Sequence, residues 1–494
     1  VKTARANRPG SEMNDLRILI ARLGWPATSA RWWTIQELAA RLGEPETKAE
    51  TESLLLQLLR SRKLEAEVVE VLCIFWMAIK EFNYFPTTLL AENILLPSPL
   101  SSLLMKDFGL SILLMNTDLE LAPEDFIIPD DFDSVQGTDL PRIFHITISK
   151  LETFTRCPFI RQMAFEWTKN RTAYPNAPYQ GDAGYFIRPL GEGFAPHFSS
   201  RTALRVISAY LRTLAVARHI WRIPMELTEQ HSLLALPIHP TLAFLRPYRP
   251  EWLSVSTEFK SDSKAIEASL RTFFAQVEAA NPGDELIAFS SPISMSMEQC
   301  VELSIVRWSQ TVSSDKEGAD SLTSHIESFW TREQMLSSQA PDPLSTTTLI
   351  TPPTFEQLVN KTCMAWPLAG TLDFGRIGYL QHDLYPSRLF LPTMPGIENS
   401  LEVIPHDGRL QVKLKDLVVA ELYYWNAGWG PARLGQIQGN CGTALISRGT
   451  TYRERNITNT GSLRSFYSWQ VRRFHRNGSY GRFSEKITRG VVFV

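Results

Sequence analysis

The stretch TESLLLQLLRSRKLEAEVVEVL, residues 51–72, carries leucine and valine at intervals of three and four residues. This spacing is typical of an α-helix that buries one face. Similar spacing on both sides predicts helices through residues 12–90. Within that region the apolar run VVEVLCIFWMAI, residues 68–79, is too short to cross a bilayer and predicts a buried core helix.

Two further segments add to this fold prediction. RTALRVISAYLRTLAVARHIWR, residues 201–222, contains no Gly or Pro and predicts a helix of about six turns. NSLEVIPHDGRLQVKL, residues 399–414, alternates apolar and polar residues around His-Asp-Gly and predicts a β-hairpin. We therefore expect a mainly α fold, that is, an α+β protein with minor β-hairpins.

The length of 494 residues and the 44% hydrophobic content indicate a large core and two to four domains. Changes in composition separate four regions. They are an N-terminal helical part (1–150), a central helical region with a long Gly/Pro/aromatic loop at 168–200 (151–308), a Ser/Thr/Pro-rich excursion (309–353), and a C-terminal α+β region with a basic tail (354–494).

The formal net charge is only −2, so any surface that binds anions must be local. The five cysteines are dispersed and form no CxxC pair, which argues against a disulfide scaffold or a zinc site and fits a reducing, intracellular setting. Acidic residues cluster between 120 and 139, where the spacing favours a solvated surface over a calcium loop. We expect no metal, no cofactor and no membrane segment.

One candidate binding surface is a basic stripe on the helix predicted after Ser200. Its side chains fall within roughly 40° of one another at about 100° per residue, and they are Arg201, Arg205, Arg212 and His219. Arginine forks bind phosphate oxygens, so the stripe could face RNA without reading its sequence. The alternative is that these arginines pair with acids of a neighbouring helix or subunit.

The second candidate is the C-terminal tail, where residues 441–494 contain ten Lys or Arg and two acids. Arginines alternate with aromatic rings there, so the tail offers charge for phosphates and flat surfaces for bases. Contact with another subunit explains the same composition equally well. The candidate RNA-binding residues of this tail are Arg464, Arg472, Arg473, Arg476 and Arg482.

Two resemblances suggest other functions. WTIQELAARLGEPETKAETESLLLQLLRSRKLEAEVV, residues 33–69, resembles a winged helix-turn-helix, which implies DNA binding by its second helix and a strand-like end. That helix would begin among four glutamates, which phosphate repels. Gly-Asn-Cys-Gly around Cys441 is similar to the nucleophile turn of chymotrypsin-like cysteine proteases of RNA viruses, although only His475 follows it.

The character of the whole chain resembles the coat proteins of small double-stranded RNA viruses, above all the partitivirus-like capsids. The features that carry this resemblance are near neutrality, a helical body, long Pro-rich excursions, abundant Trp and Phe, and a local basic face. The resemblance implies a structural protein and not an enzyme, with a shell domain and a protruding arch. Homodimers would assemble into an icosahedral capsid that encloses double-stranded RNA, held by diffuse charge, together with the viral polymerase. The expected location is the virion and the host cytoplasm.

Overall fold

A computed structural model describes most of the helices and strands of the chain. The described residues are 9–25, 28–110, 118–132, 142–173, 201–253, 263–296, 298–311, 326–327, 329–330, 365–373, 378–381, 385, 388–392, 401–426, 441–449, 463–476 and 483–493. Most of the predicted loop at 168–200 and of the predicted excursion at 309–353 lies outside these residues.

The chain forms two compact units, a helical unit and a sheet unit. The helical unit comprises Val1–His239 and Gly378–Asp383, and the sheet unit comprises Pro240–Ile377 and Leu384–Val494. The boundary at residues 239 and 240 falls inside the region predicted as 151–308. The short return to the helical unit is held by Tyr379, whose hydroxyl donates to Glu70 Oε1 at 2.8 Å.

The helical unit contains ten α-helices among its described residues. Their bounds are α1 Pro9–Arg22, α2 Thr28–Gly43, α3 Lys48–Arg60, α4 Glu65–Phe82, α5 Leu89–Glu92, α6 Pro99–Asp107, α7 Arg142–Thr155, α8 Phe159–Ala173, α9 Arg201–His219 and α10 Met225–Ser232. No described helix has the length and apolar character needed to cross a membrane.

The predicted core helix is confirmed as α4, which is buried from Val71 to Ala78. It ends at Asn83, whose left-handed conformation (φ 52°) closes the last turn. The predicted helix after Ser200 is confirmed as α9. Residues 65–69 are the first turn of α4, so the strand-like end expected for a winged helix is helical here.

The sheet unit combines two helices with eleven described strands. The helices are α11 Pro240–Ala243 and α12 Ser263–Ala280. The strands are β1 Leu286–Met295, β2 Gln299–Thr311, β3 Ala365–Pro367, β4 Ala369–Asp373, β5 Arg388–Pro392, β6 Leu401–His406, β7 Arg409–Leu414, β8 Leu417–Asn426, β9 Cys441–Ser447, β10 Leu463–Arg476 and β11 Phe483–Phe493.

The expectation of a mainly α fold with minor hairpins is wrong. Among the described residues, helix (48%) and strand (26%) are both major, and nine strands form one antiparallel sheet. Eight of them lie in the order β11-β10-β2-β1-β9-β8-β7-β6, and β3 pairs with the C-terminal end of β2. The predicted hairpin is confirmed as β6–β7, which turns through Asp407 and Gly408, both at positive φ.

Helix α12 packs on one face of this sheet and forms its core. Phe274 stacks on Tyr467 with ring centroids 4.0 Å apart, and Phe273 meets Phe289 edge-on. Two glycines let tryptophans lie flat across neighbouring strands in this layer. A Cβ on Gly442 would lie 2.2 Å from the Trp425 ring, and one on Gly490 would lie 2.4 Å from the Trp469 ring.

Candidate functional site

The basic stripe of α9 is mostly buried inside the helical unit. Arg205 is 2% exposed and Arg212 is 6% exposed, while His219 near the helix end is half-buried. Burial, with Arg218 and Arg222 nearby, lowers the pKa of His219 below its ordinary value. The side chain of Arg201 lies outside the described residues. At positions 205 and 212, therefore, the stripe faces protein.

Arg212 is the centre of a buried ion-pair network that joins α4, α8 and α9. Its Nε donates to Glu166 Oε2 at 2.9 Å, and its Nη1 lies 3.1 Å from Glu65 Oε1. Asp118 adds a carboxylate at 3.3 Å from Nη1 and a backbone carbonyl at 3.2 Å from Nη2. Gln162 donates to the other oxygen of Glu166 at 3.0 Å. One guanidinium group thus contacts carboxylates of both neighbouring helices.

The charges in this network do not balance when all three acids are ionised. Burial raises the pKa of Glu65 to about 7, with a smaller contribution from Glu166, although the Arg212 charge acts in the opposite direction. Burial alone would lower the pKa of Arg212, but the surrounding carboxylates raise it above the ordinary value. Glu65 can therefore take up a proton near neutral pH.

Four of the candidate arginines of the C-terminal tail, Arg464, Arg472, Arg473 and Arg476, belong to β10, and the neighbours Arg472 and Arg473 face opposite sides of the sheet. Arg472 pairs with Glu485 at 2.7 Å and with Glu302 at 3.4 Å, and its guanidinium lies 4.8 Å from the Phe474 ring centroid. Arg473 is buried among the residues of the opposite face, where burial lowers its pKa. The predicted basic cluster is thus divided between two surfaces.

Three predicted residues of the tail remain. Arg464 is exposed, and its guanidinium carbon lies 3.4 Å from the centroid of the Phe493 ring. The side chain of Arg476 and the whole of Arg482 lie outside the described residues. Of the predicted RNA-binding residues of the tail whose side chains the structure describes, Arg464 is the exposed one.

The sheet unit holds a polar cluster that we did not predict from the sequence. Arg448 Nη1 lies 2.7 Å from Asp284 Oδ2, and Arg448 Nη2 donates to both Glu421 and the Tyr423 hydroxyl. Burial opposes ionisation of Glu421, but hydrogen bonds from Arg448, with Arg409 nearby, hold the pKa of its carboxyl below the usual range. Four separate segments supply these residues, so no local sequence pattern signals the cluster.

Cys441 is the first residue of β9 and is buried. Its thiol lies 3.5 Å from the Asn426 side-chain oxygen on the neighbouring strand, and Gly442 makes room for Trp425. The structure thus gives both residues a packing role within the sheet, while Gly439 and Asn440 of the motif are not described. Among the described residues, no group of three His, Cys, Asp or Glu side chains could hold a metal ion.

Comparisons with protein-family models, with curated proteins and with solved structures find no match.

Exposed apolar side chains are the last feature of the surface, and sequence periodicity did not reveal them. Of fifteen large exposed hydrophobic residues in the described chain, twelve belong to the helical unit. Phe85 is 78% exposed, Ile127 84% and Phe154 81%. Phe154 lies at helical spacing from Phe144 and Leu151, which are on the buried face of α7. Sequence periodicity would therefore place Phe154 on the buried face, although it is exposed.

Proposed function

We propose that this protein is a structural subunit that self-assembles into a closed shell around double-stranded RNA, as its resemblance to partitivirus-like capsids implies. The observation that carries the proposal is the concentration of exposed apolar side chains on the helical unit. Such side chains are removed from water when proteins associate. In this role the protein would belong to the virion and to the cytoplasm of its host cell.

The pairing of basic residues within the chain supports a model in which direct contacts with RNA contribute little to assembly. Arg212 and Arg472 have their charge compensated by carboxylates within the chain. The net charge of −2 also leaves little excess to condense a polyanion. RNA would accordingly be held by diffuse electrostatics and enclosed by the shell, whereas contacts between subunits would supply the free energy of assembly.

Sedimentation of the purified protein tests this proposal, with absorbance at 260 nm recorded on the same fractions. We expect particles of megadalton mass that persist in 0.5 M salt, because burial of apolar surface is not screened. The variant Phe85→Ser/Ile127→Ser/Phe154→Ser should remain folded but shift to small species. All three side chains are almost fully exposed, so the monomer loses little packing.

Leu417→Ser is the matched control. Leu417 is 47% exposed but lies in the sheet unit, which presents few such residues. This variant should sediment like the parent protein. A parent protein that stays monomeric or dimeric at high concentration would refute the shell. Particles without absorbance at 260 nm would leave assembly standing and remove RNA from the proposal.

A further inference from the structure

Strand β11 forms one edge of the nine-stranded sheet. All eleven of its residues pair with β10 in an uninterrupted register, and no described strand lies on its outer side. It contains no proline and no bulge, and residues 484–487 are exposed. The opposite edge differs, because β6 has only six residues and includes Pro405, which cannot donate a hydrogen bond. Edge strands as long as β11 invite pairing with another chain.

A second copy of β11 could pair with the first only in certain registers. The backbone groups of successive residues in a strand point to opposite edges, so two strands related by a twofold axis pair residues whose numbers have the same parity. The axis must therefore pass through a residue and not between two residues. This condition leaves a small number of residues through which the axis can pass while most of the strand remains paired.

The charges on β11 distinguish these centres. An axis through Glu485, Lys486 or Arg489 sets that residue against its own copy, and like charges directly opposite each other are destabilising. An axis through Thr488 sets every charged residue against a neutral one. An axis through Ile487 sets Glu485 of each copy against Arg489 of the other, and it is the centre among these five that gives attractive pairs.

The local contacts fit the axis at Ile487. Glu485, Ile487 and Arg489 share the face that bears Arg472 and Gln470, so the paired charges would lie side by side. Arg489 donates through Nε to Gln470 Oε1 at 2.7 Å, and among the described residues its terminal nitrogens form no hydrogen bond, although the charges of Glu327 and Glu485 act on its guanidinium. A carboxylate from a second strand could accept from them.

The end of the strand favours the same register. The backbone carbonyl of Phe493 already accepts a hydrogen bond from Arg271 Nη1 of α12 at 3.0 Å. An axis through Thr488 would require pairing up to Phe493. An axis through Ile487 ends the pairing at Val491, so the contact between α12 and β11 is kept.

We propose that two copies of this chain join edge to edge through β11, antiparallel about a twofold axis at Ile487, with Glu485 of each strand opposite Arg489 of the other. The contact extends the two sheets into one continuous sheet. This inference rests on the proposed self-assembly and identifies the sheet unit as the source of one of its contacts. It adds a salt-sensitive contact to the apolar ones of the helical unit.

Charge reversal tests the pairing, since each single reversal turns two attractions across the axis into two repulsions. Glu485→Arg also removes the ion pair of Glu485 with Arg472 of its own chain, so recovery in a mixture of Glu485→Arg with Arg489→Glu is the deciding observation. Glu485→Arg and Arg489→Glu should each weaken dimer formation about tenfold or more in dissociation constant. An equimolar mixture of the two variants should recover association, because every opposed pair is then of opposite sign. Lys486→Glu is the matched control: its opposite residue would be the neutral Thr488, so its dimer should form as the parent does. Analytical ultracentrifugation at 50 and 500 mM salt gives the dissociation constants of the parent, the three variants and the mixture.

Recovery in the mixture also shows that both single variants are folded, since misfolded chains would not complement each other. If neither variant weakens association, or if the mixture recovers nothing, the β11 contact is refuted even where the parent protein forms particles. If the parent forms only a dimer that the two reversals abolish and the mixture restores, the β11 contact stands and the shell is refuted.

Discussion

Replacing Glu65 by glutamine should change how the stability of the protein depends on pH. The folded-state pKa of about 7 lies above the ordinary value of 4.5, so the folded protein binds a proton more tightly than the unfolded chain does. The stabilisation from that proton is complete below pH 4.5 and is lost as the pH rises through 7. Glutamine keeps the shape of the protonated acid and cannot ionise, so the variant lacks this dependence.

The size of the effect follows from the two pKa values. Between pH 5 and pH 8 the linkage relation gives a loss of about 2.5 kcal/mol in the free energy of unfolding of the parent protein. We therefore expect Glu65→Gln to match the parent within about 1 kcal/mol at pH 5 and to exceed it by about 2 to 3 kcal/mol at pH 8. Denaturant titrations at the two pH values measure both differences.

Ser208→Ala is a suitable control because it removes a partner from the same helix end without removing a titratable group. The Ser208 hydroxyl accepts the Ala66 backbone N–H at 3.0 Å. Its loss should cost about 1 kcal/mol at both pH values. If the parent and Glu65→Gln show parallel pH profiles, Glu65 is ionised between pH 5 and pH 8 in the folded protein. The raised pKa of Glu65 would then be refuted.

Three other predictions concern single side chains. Gly442→Ala should destabilise the sheet unit by about 1 to 3 kcal/mol, because its Cβ would enter the Trp425 ring. Gly24→Ala should be tolerated in the same thermal unfolding experiment, because its Cβ would lie 3.5 Å from the Ala21 carbonyl oxygen, an ordinary contact distance. Arg472→Gln should cost about 2 kcal/mol in denaturant titrations, since it removes the guanidinium charge that pairs with the nearly buried Glu302 and with Glu485. Burial raises the pKa of the Cys73 thiol, so a thiol reagent at pH 8 should modify the half-buried Cys157 well before Cys73, as peptide mapping would show.

The sequence was sufficient to predict local structure wherever a periodic pattern coincided with burial. Helices α4 and α9 and the β6–β7 hairpin follow directly from spacing and turn residues. The large sheet could not be predicted in this way, because its strands pair across long separations. For example, β1 lies between β2 and β9, and Ala288 pairs with both Val306 and Leu445. No local pattern records which distant strand completes a sheet.

The candidate RNA-binding residues illustrate a second limit, which is geometric. Arginines at 205 and 212 share a helix face, but that face is turned into the helical unit, where Glu65 and Glu166 compensate Arg212. Periodicity identifies a common face and cannot identify what covers it.

In the tail the limit arises from strand geometry. Arg472 and Arg473 are neighbours in sequence, yet their side chains point to opposite faces of β10. Arg472 is bound by two carboxylates, and Arg473 is buried, so replacing both together would disturb the sheet as well as any RNA contact. A test of RNA binding should therefore begin at Arg464, which is exposed on Phe493. If folded particles of Arg464→Gln contain less RNA than the parent particles, this end of β10 binds RNA. If their RNA content is unchanged, we would assign the described part of the tail to the sheet and its protein contacts.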